Sequence, residues 1–175
     1  LKAIEPSYYD EYYDRVPLLK YFAESNEPSD RHMVSRLLEA FKKDKQFQNQ
    51  ETYNAVTECL ESIKISSEKM KVPWSAYLLQ IADYVEIAWT KSLVCPGRGS
   101  GVGFILLYML GITQINPLRE KTRTYSWRFL NPERASVLDI DVDVCSSKRD
   151  EVINAIKQTY GYDRVSKVLT LNTEK

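Results

Sequence analysis

Residues 136–144 read SVLDIDVDV, and their strict alternation of apolar and acidic side chains is the strongest strand signal in the 175-residue chain. Side chains of an extended backbone point alternately to opposite sides. Leu138, Ile140, Val142 and Val144 therefore share one face, and Asp139, Asp141 and Asp143 the other. Successive aspartates then sit about 6.6 Å apart along the strand. Aspartate is a poor strand former, and three like charges in a row repel one another. A divalent cation is the natural compensation: Mg²⁺ takes oxygen ligands, often one or two carboxylates plus phosphates. Two carboxylates on one face can hold two ions about 3.5–4 Å apart, the spacing of two-metal phosphoryl transfer. A solvated edge strand, kept acidic against edge-to-edge pairing, has the same sequence, so the aspartates alone leave both readings open.

Upstream lies a second unusual stretch, CPGRGSGVGF (95–104), which holds four of the six glycines in the chain. It follows SLVC (92–95), a short strand candidate, and opens a helix predicted to run from about Ser100 to a C-cap near Gly111. Glycines let backbone amides approach an anion, and unpaired N–H groups at a helix start attract one. Arg98 adds a permanent positive charge and Ser100 a hydroxyl and a cap. Gly97, Arg98, Gly99 and Ser100 are thus candidate phosphate ligands. The stretch lacks the Lys-Ser/Thr of a Walker loop and misses the dinucleotide fingerprint. A tight turn serving close helix packing is the alternative. With Asp141 and Asp143 across from it, the loop would hold a nucleoside triphosphate at one end and metals at the other, as nucleotidyl transfer requires. No Ser-His or Cys-His arrangement offers a protein nucleophile.

Around these motifs the chain divides. SDRHMVSRLLEAFKKDK (29–45), ETYNAVTECLESIKIS (51–66) and WSAYLLQIADYVEIAWTKS (74–92) carry apolar residues at helical spacing, the first with Ser29 or Asp30 as N-cap. Residues 1–28 have no clean period and read as a docking arm or an irregular start. SSKRDEVINAIKQTYG (146–161) predicts a helix capped by Ser146 or Ser147, and RVSKVLTL (164–171) a last strand. The order strand, helix, strand, helix, strand predicts an α/β domain with a mixed sheet over residues 72–175, preceded by a helical region over 1–71.

Between the two motifs, REKTRTYSWRFLNPER (119–134) interleaves Arg119, Lys121, Arg123, Arg128 and Arg134 with Tyr125, Trp127 and Phe129. Basic and aromatic residues together suit a nucleic-acid surface, with Arg128 and Arg134 as candidate DNA contacts. Aromatics anchoring a solvated loop to the core are an equal alternative. Acidic and basic residues balance at 24 each, so bulk charge favours no partner. Three scattered cysteines form no metal-binding pair and fit a reducing, cytoplasmic setting. The most apolar run, FILLYMLGI (104–112), is too short to span a bilayer, and nothing resembles a signal peptide. A start at Leu1 and a stop at LNTEK read as the ends of a piece of a longer protein.

CPGRGSGVGFILLYMLGITQINPL, RFLNPERASVLDIDVDV and KRDEVINAIKQTYGYDRV, in that order, closely resemble the palm region of bacterial C-family replicative DNA polymerases, over most of residues 72–171. The resemblance implies a polymerase-beta-like nucleotidyltransferase palm. In its reaction a primer 3′-hydroxyl attacks the α-phosphate of a dNTP and pyrophosphate leaves. It assigns two catalytic Mg²⁺ ions, replaceable by Mn²⁺, to Asp141 and Asp143, leaves Asp139 without a clear role, and gives the triphosphate to Gly97–Ser100. Primer–template DNA, a sliding clamp and an exonuclease subunit are the partners it implies. Leu138 stands where the family usually has proline, Val144 where it has an aromatic, and LNT (171–173) replaces a common F-G-T. A third catalytic aspartate of the family lies far downstream, so the isolated piece is expected to be inactive. Another nucleotidyltransferase acting on a small acceptor, or a non-catalytic palm-derived scaffold in a replication complex, would share the same motifs.

Overall fold

The computed structural model describes residues 10–119, 125–133 and 138–166. Its frame is a set of helices whose apolar stripes meet in one continuous core, from Val16 to Val152. Helix α1 (Asp10–Arg15) and helix α2 (Pro17–Ala23) come first. The stretch expected to be irregular is therefore helical from Asp10. Its period is hard to see because Pro17 ends one short helix and opens the next. Leu19 and Phe22 of α2 are buried against α3 (Pro28–Lys43) and α4 (Gln50–Met70).

Helix α3 buries the predicted face, Met33, Val34, Leu37, Leu38 and Phe41. Its cap lies earlier than predicted. Pro28 takes the first helical position, and the Glu27 side chain accepts the Ser29 N–H at 3.3 Å. Ser29 and Asp30 are used differently, since both meet the buried Ser75 hydroxyl of α5 (Trp74–Trp89), at 2.8 and 2.5 Å. At the start of α4, Asn49 caps by accepting the Thr52 N–H at 2.9 Å.

Helix α6 (Ile105–Met109) is much shorter than predicted, because Gly99–Gly103 forms a 3₁₀ turn rather than α-helix. Phe104, Ile105, Leu106 and Leu107 are all buried, as a segment apolar on every side must be. Helix α7 (Arg149–Tyr160) packs on α5 and buries Val152 and Ala155. Ser146 and Ser147 do not cap it with their side chains; a 3₁₀ turn over Ser146–Lys148 leads in instead. Among the described residues no helix is long and apolar enough to cross a membrane.

The predicted mixed sheet is absent from the described residues. Among the described residues there is no strand, only an isolated antiparallel bridge between Val94 and Val144. Residues 138–145 are nevertheless extended and sided as their alternation predicts. Leu138 is buried, Ile140, Val142 and Val144 pack against the core, and the three aspartates are exposed. The pairing stops after one bridge for local reasons. Cys95 N–H donates to the Asp143 carbonyl at 2.8 Å, but the chain then leaves its partner: Gly97, whose N–H would make the next rung, stands in the glycine turn at φ +153°, and the Pro96 carbonyl between them accepts from Gln114 N–H. On the other side, Cys145 N–H donates to the Ser92 hydroxyl at 3.1 Å, and that hydroxyl donates onward to the Leu93 carbonyl at 2.8 Å. A side chain thus stands in the next rung. The last predicted strand lies largely outside the described residues.

Candidate functional site

The buried α6 sets the position of the glycine turn. Its end reverses through Gly111, and Gln114 N–H donates to the Pro96 carbonyl at 2.6 Å, closing residues 96–114 into a compact loop. Inside that loop Gly97 has no room for a side chain: a Cβ there would lie 2.6 Å from Val102 Cγ1 and 3.4 Å from Thr113. Gly99 has φ +65°, in the left-handed region that strains other residues. Between the two, Arg98 is carried out over the aspartate face of the extended segment.

There Arg98 meets two carboxylates at once. Its Nη1 donates to both oxygens of Asp143, at 3.1 and 3.3 Å, and its Nε lies 3.5 Å from Asp141 Oδ2. All three side chains are about half exposed. The hydrogen bond to Asp143 and the charges of Asp143 and Asp141 hold the Arg98 guanidinium above its ordinary value, so it is a permanent cation. The two motifs, about forty residues apart in sequence, are therefore in direct contact.

A cleft of about 230 Å³ lies beside this contact. Gly97, Arg98, Gly99 and Ser100 line it from the turn, and Asp139 and Asp141 from the extended segment. Asp143 is not part of that lining and joins the group through Arg98. Ser100 is exposed inside the 3₁₀ turn and caps nothing, which corrects its expected capping role. The turn therefore brings loop backbone, the Ser100 hydroxyl and Arg98 to the cleft, and no long helix dipole stands behind them.

Thr113 was not singled out from sequence. It is buried, lines the same cleft, and its hydroxyl has no hydrogen-bond partner among the described residues. The signal for it was Gly111, since a chain reversal there returns residues 112–114 to the loop that precedes the helix.

The basic-aromatic segment is split between its two readings. Phe129 and Leu130 are buried, and the Phe129 ring lies 4.9 Å from that of Phe104, docking the segment behind the glycine turn. Tyr125 and Trp127 point outward with ring centres 5.9 Å apart, and Arg128 is exposed beside them. Arg134, like Lys121 and Arg123, lies outside the described residues.

Asp141 and Asp143 fit a hard divalent ion. They are oxygen donors on one face, both engaged by the one Arg98 guanidinium and each about half open to water. Among the described residues no group of three or more His, Cys, Asp or Glu is placed to hold a metal ion.

Comparison with known proteins agrees with the motifs. A family model described as the bacterial DNA polymerase III alpha NTPase domain matches residues 31–175, reaching well upstream of the stretch that carries the motif resemblance. A DNA polymerase III subunit alpha of Chlamydia pneumoniae is 44% identical over 100 residues, covering 57% of this chain and 8% of the relative. Proteins of the same name from Xylella fastidiosa and Aquifex aeolicus are 41% and 40% identical over 107 and 106 residues, covering 59% and 60% of this chain and 9% of each relative. The chain thus spans less than a tenth of the length of these relatives.

Proposed function

The chain belongs to the bacterial DNA polymerase III alpha family, and from that premise we propose that it forms part of the nucleotidyl-transfer site of a replicative DNA polymerase, within a partial palm over residues 72–175. The observation that carries the reading is the contact of Arg98 with Asp141 and Asp143 beside a cleft lined by Gly97–Ser100. The turn offers a triphosphate its amides, the Ser100 hydroxyl and a guanidinium suited to paired phosphate oxygens. Asp141 and Asp143 would hold Mg²⁺, with Mn²⁺ as a substitute. Held there, the ions would supply a lowered pKa at the attacking 3′-hydroxyl and charge neutralisation for the leaving pyrophosphate. The chain's own work is positioning: the α-phosphate is presented between the turn and the acidic segment, and no side chain forms a covalent bond with it. Primer–template DNA would approach along the exposed Tyr125, Trp127 and Arg128, through phosphate contacts and stacking without base readout.

The test is Asp141→Asn with Asp143→Asn in the complete polymerase. Primer extension should fall by at least about a hundredfold, the scale of removing one electrostatic element of a transition state, while the protein remains folded. Undiminished extension would remove the site from catalysis. Extension lost on primed DNA but retained on a small acceptor would point to a different transferase.

A further inference from the structure

The roles assigned to Arg98 and to the two aspartates use the same atoms. Nε and Nη1 of Arg98 are engaged by Asp141 and Asp143, and the carboxylate oxygens that would hold a divalent ion are engaged by Arg98. One guanidinium here occupies the place between the carboxylates that a metal would take. A divalent cation entering beside it meets a permanent positive charge at close range, and the two repel.

We propose that Arg98 is an internal counter-cation that keeps the Asp141–Asp143 pair poorly receptive to divalent ions until a triphosphate draws the guanidinium away. The inference rests on the functional reading above and adds an order of events: ion and nucleotide load together. A phosphate offers Arg98 a paired acceptor at least as good as a carboxylate, so the side chain loses nothing by exchanging partners. The exchange is easy, because the ion pairs are half exposed and pairs of that kind are weak. The turn itself need not move. The fit of Gly97 against Val102 and Thr113 holds the backbone in place, and the long arginine side chain supplies the travel. Coupling between two ligands is reciprocal, so a device that delays the ion also makes the ion strengthen nucleotide binding by the same factor.

The experiment titrates the 175-residue chain with Mn²⁺, alone and with a non-hydrolysable deoxynucleoside triphosphate analogue, and follows the Arg98 Nε–H signal by ¹⁵N nuclear magnetic resonance. Arg98→Gln should bind Mn²⁺ alone roughly fivefold more tightly than wild type, the low end of typical coupling between sites. The analogue should tighten Mn²⁺ binding in wild type by about the same factor and much less in the variant. The Arg98 signal should move little with Mg²⁺ alone and clearly when Mg²⁺ and the analogue are added together. Mn²⁺ binding by Arg98→Gln no tighter than wild type, or an Arg98 signal unmoved by the combination, overturns the device. Asp141→Asn with Asp143→Asn separates the two levels. If that double variant loses Mn²⁺ while Arg98→Gln matches wild type, only the counter-cation role fails. Should it bind Mn²⁺ like wild type, the functional reading fails and the device with it.

Discussion

Helices α3 to α5 and the extended segment 138–145 carry sequence patterns of similar clarity, yet only the helices became regular elements. A helix closes its backbone hydrogen bonds within itself, so an apolar stripe at the right period is enough once a core is there to cover it. A strand borrows its partners from elsewhere. In the segment, side chains are sorted as the alternation requires, with Leu138 and Ile140 inward and Asp141 and Asp143 outward, while a single bridge to Val94 is all the pairing present among the described residues. Sidedness is a local property and sheet membership is not. For chemistry, sidedness is the part that matters, because it aims the carboxylates at Arg98.

The contrast is broken most directly by comparing truncations. Leu106→Ala, at a fully buried position, should cost about 2–5 kcal/mol of stability in a denaturant titration. Ile140→Ala, at a partly buried position on the extended segment, should cost about 1 kcal/mol, since its side chain keeps some water contact in the folded state. Equal losses would mean that the segment belongs to the core as fully as α6 does. Gly97→Ala falls between them, at roughly 1–3 kcal/mol, because the added methyl group must push Val102 aside in a closed loop. It should also weaken triphosphate binding, whereas Ile140→Ala should leave that binding nearly unchanged.

How far the molecule could be read from its residues follows the same division. The inward face of α3, from Met33 to Phe41, is visible as a period, and so is the burial of the all-apolar run Phe104–Leu107. The cap on α3 was misplaced because Pro28 starts the helix a turn position earlier than Ser29 or Asp30 would, and those two side chains answer to Ser75 on a distant helix. The predicted sheet failed where the glycine turn from Gly97 and the Ser92 hydroxyl interrupt the ladder, details that alternation does not register. The candidate site was legible in its parts, the glycine turn and the aspartates, through their unusual composition. That one arginine joins both aspartates was not, since it depends on how α6 returns the chain to the turn. Thr113 was hidden for the same reason.

The smallest expected effect lies at the seam between α5 and α7, and it concerns pH. The Tyr160 hydroxyl donates to Asp83 Oδ2 at 3.2 Å, and its ring stands edge-on to Tyr84 at 5.3 Å. Burial first, and then the negative charge of Asp83, push the Tyr160 phenol up from 10.0 to about 12. The folded chain therefore keeps this proton between roughly pH 10 and 12, where the unfolded chain has lost it. Stability rises with pH only where the unfolded state holds more protons, so here it must fall. The contribution is intact below pH 10 and is lost as the pH climbs through 12. Tyr21, Tyr53 and Tyr77 are shifted in the same direction, so the whole chain should weaken in alkali, and only a difference between variants isolates one residue. Urea midpoints measured from pH 8 to 12 should decline less steeply in Tyr160→Phe than in wild type, with the curves converging at the alkaline end. Parallel curves would show that the α5–α7 seam opens before the phenol ionises, which would make that helical contact no firmer than the lone bridge at Val94.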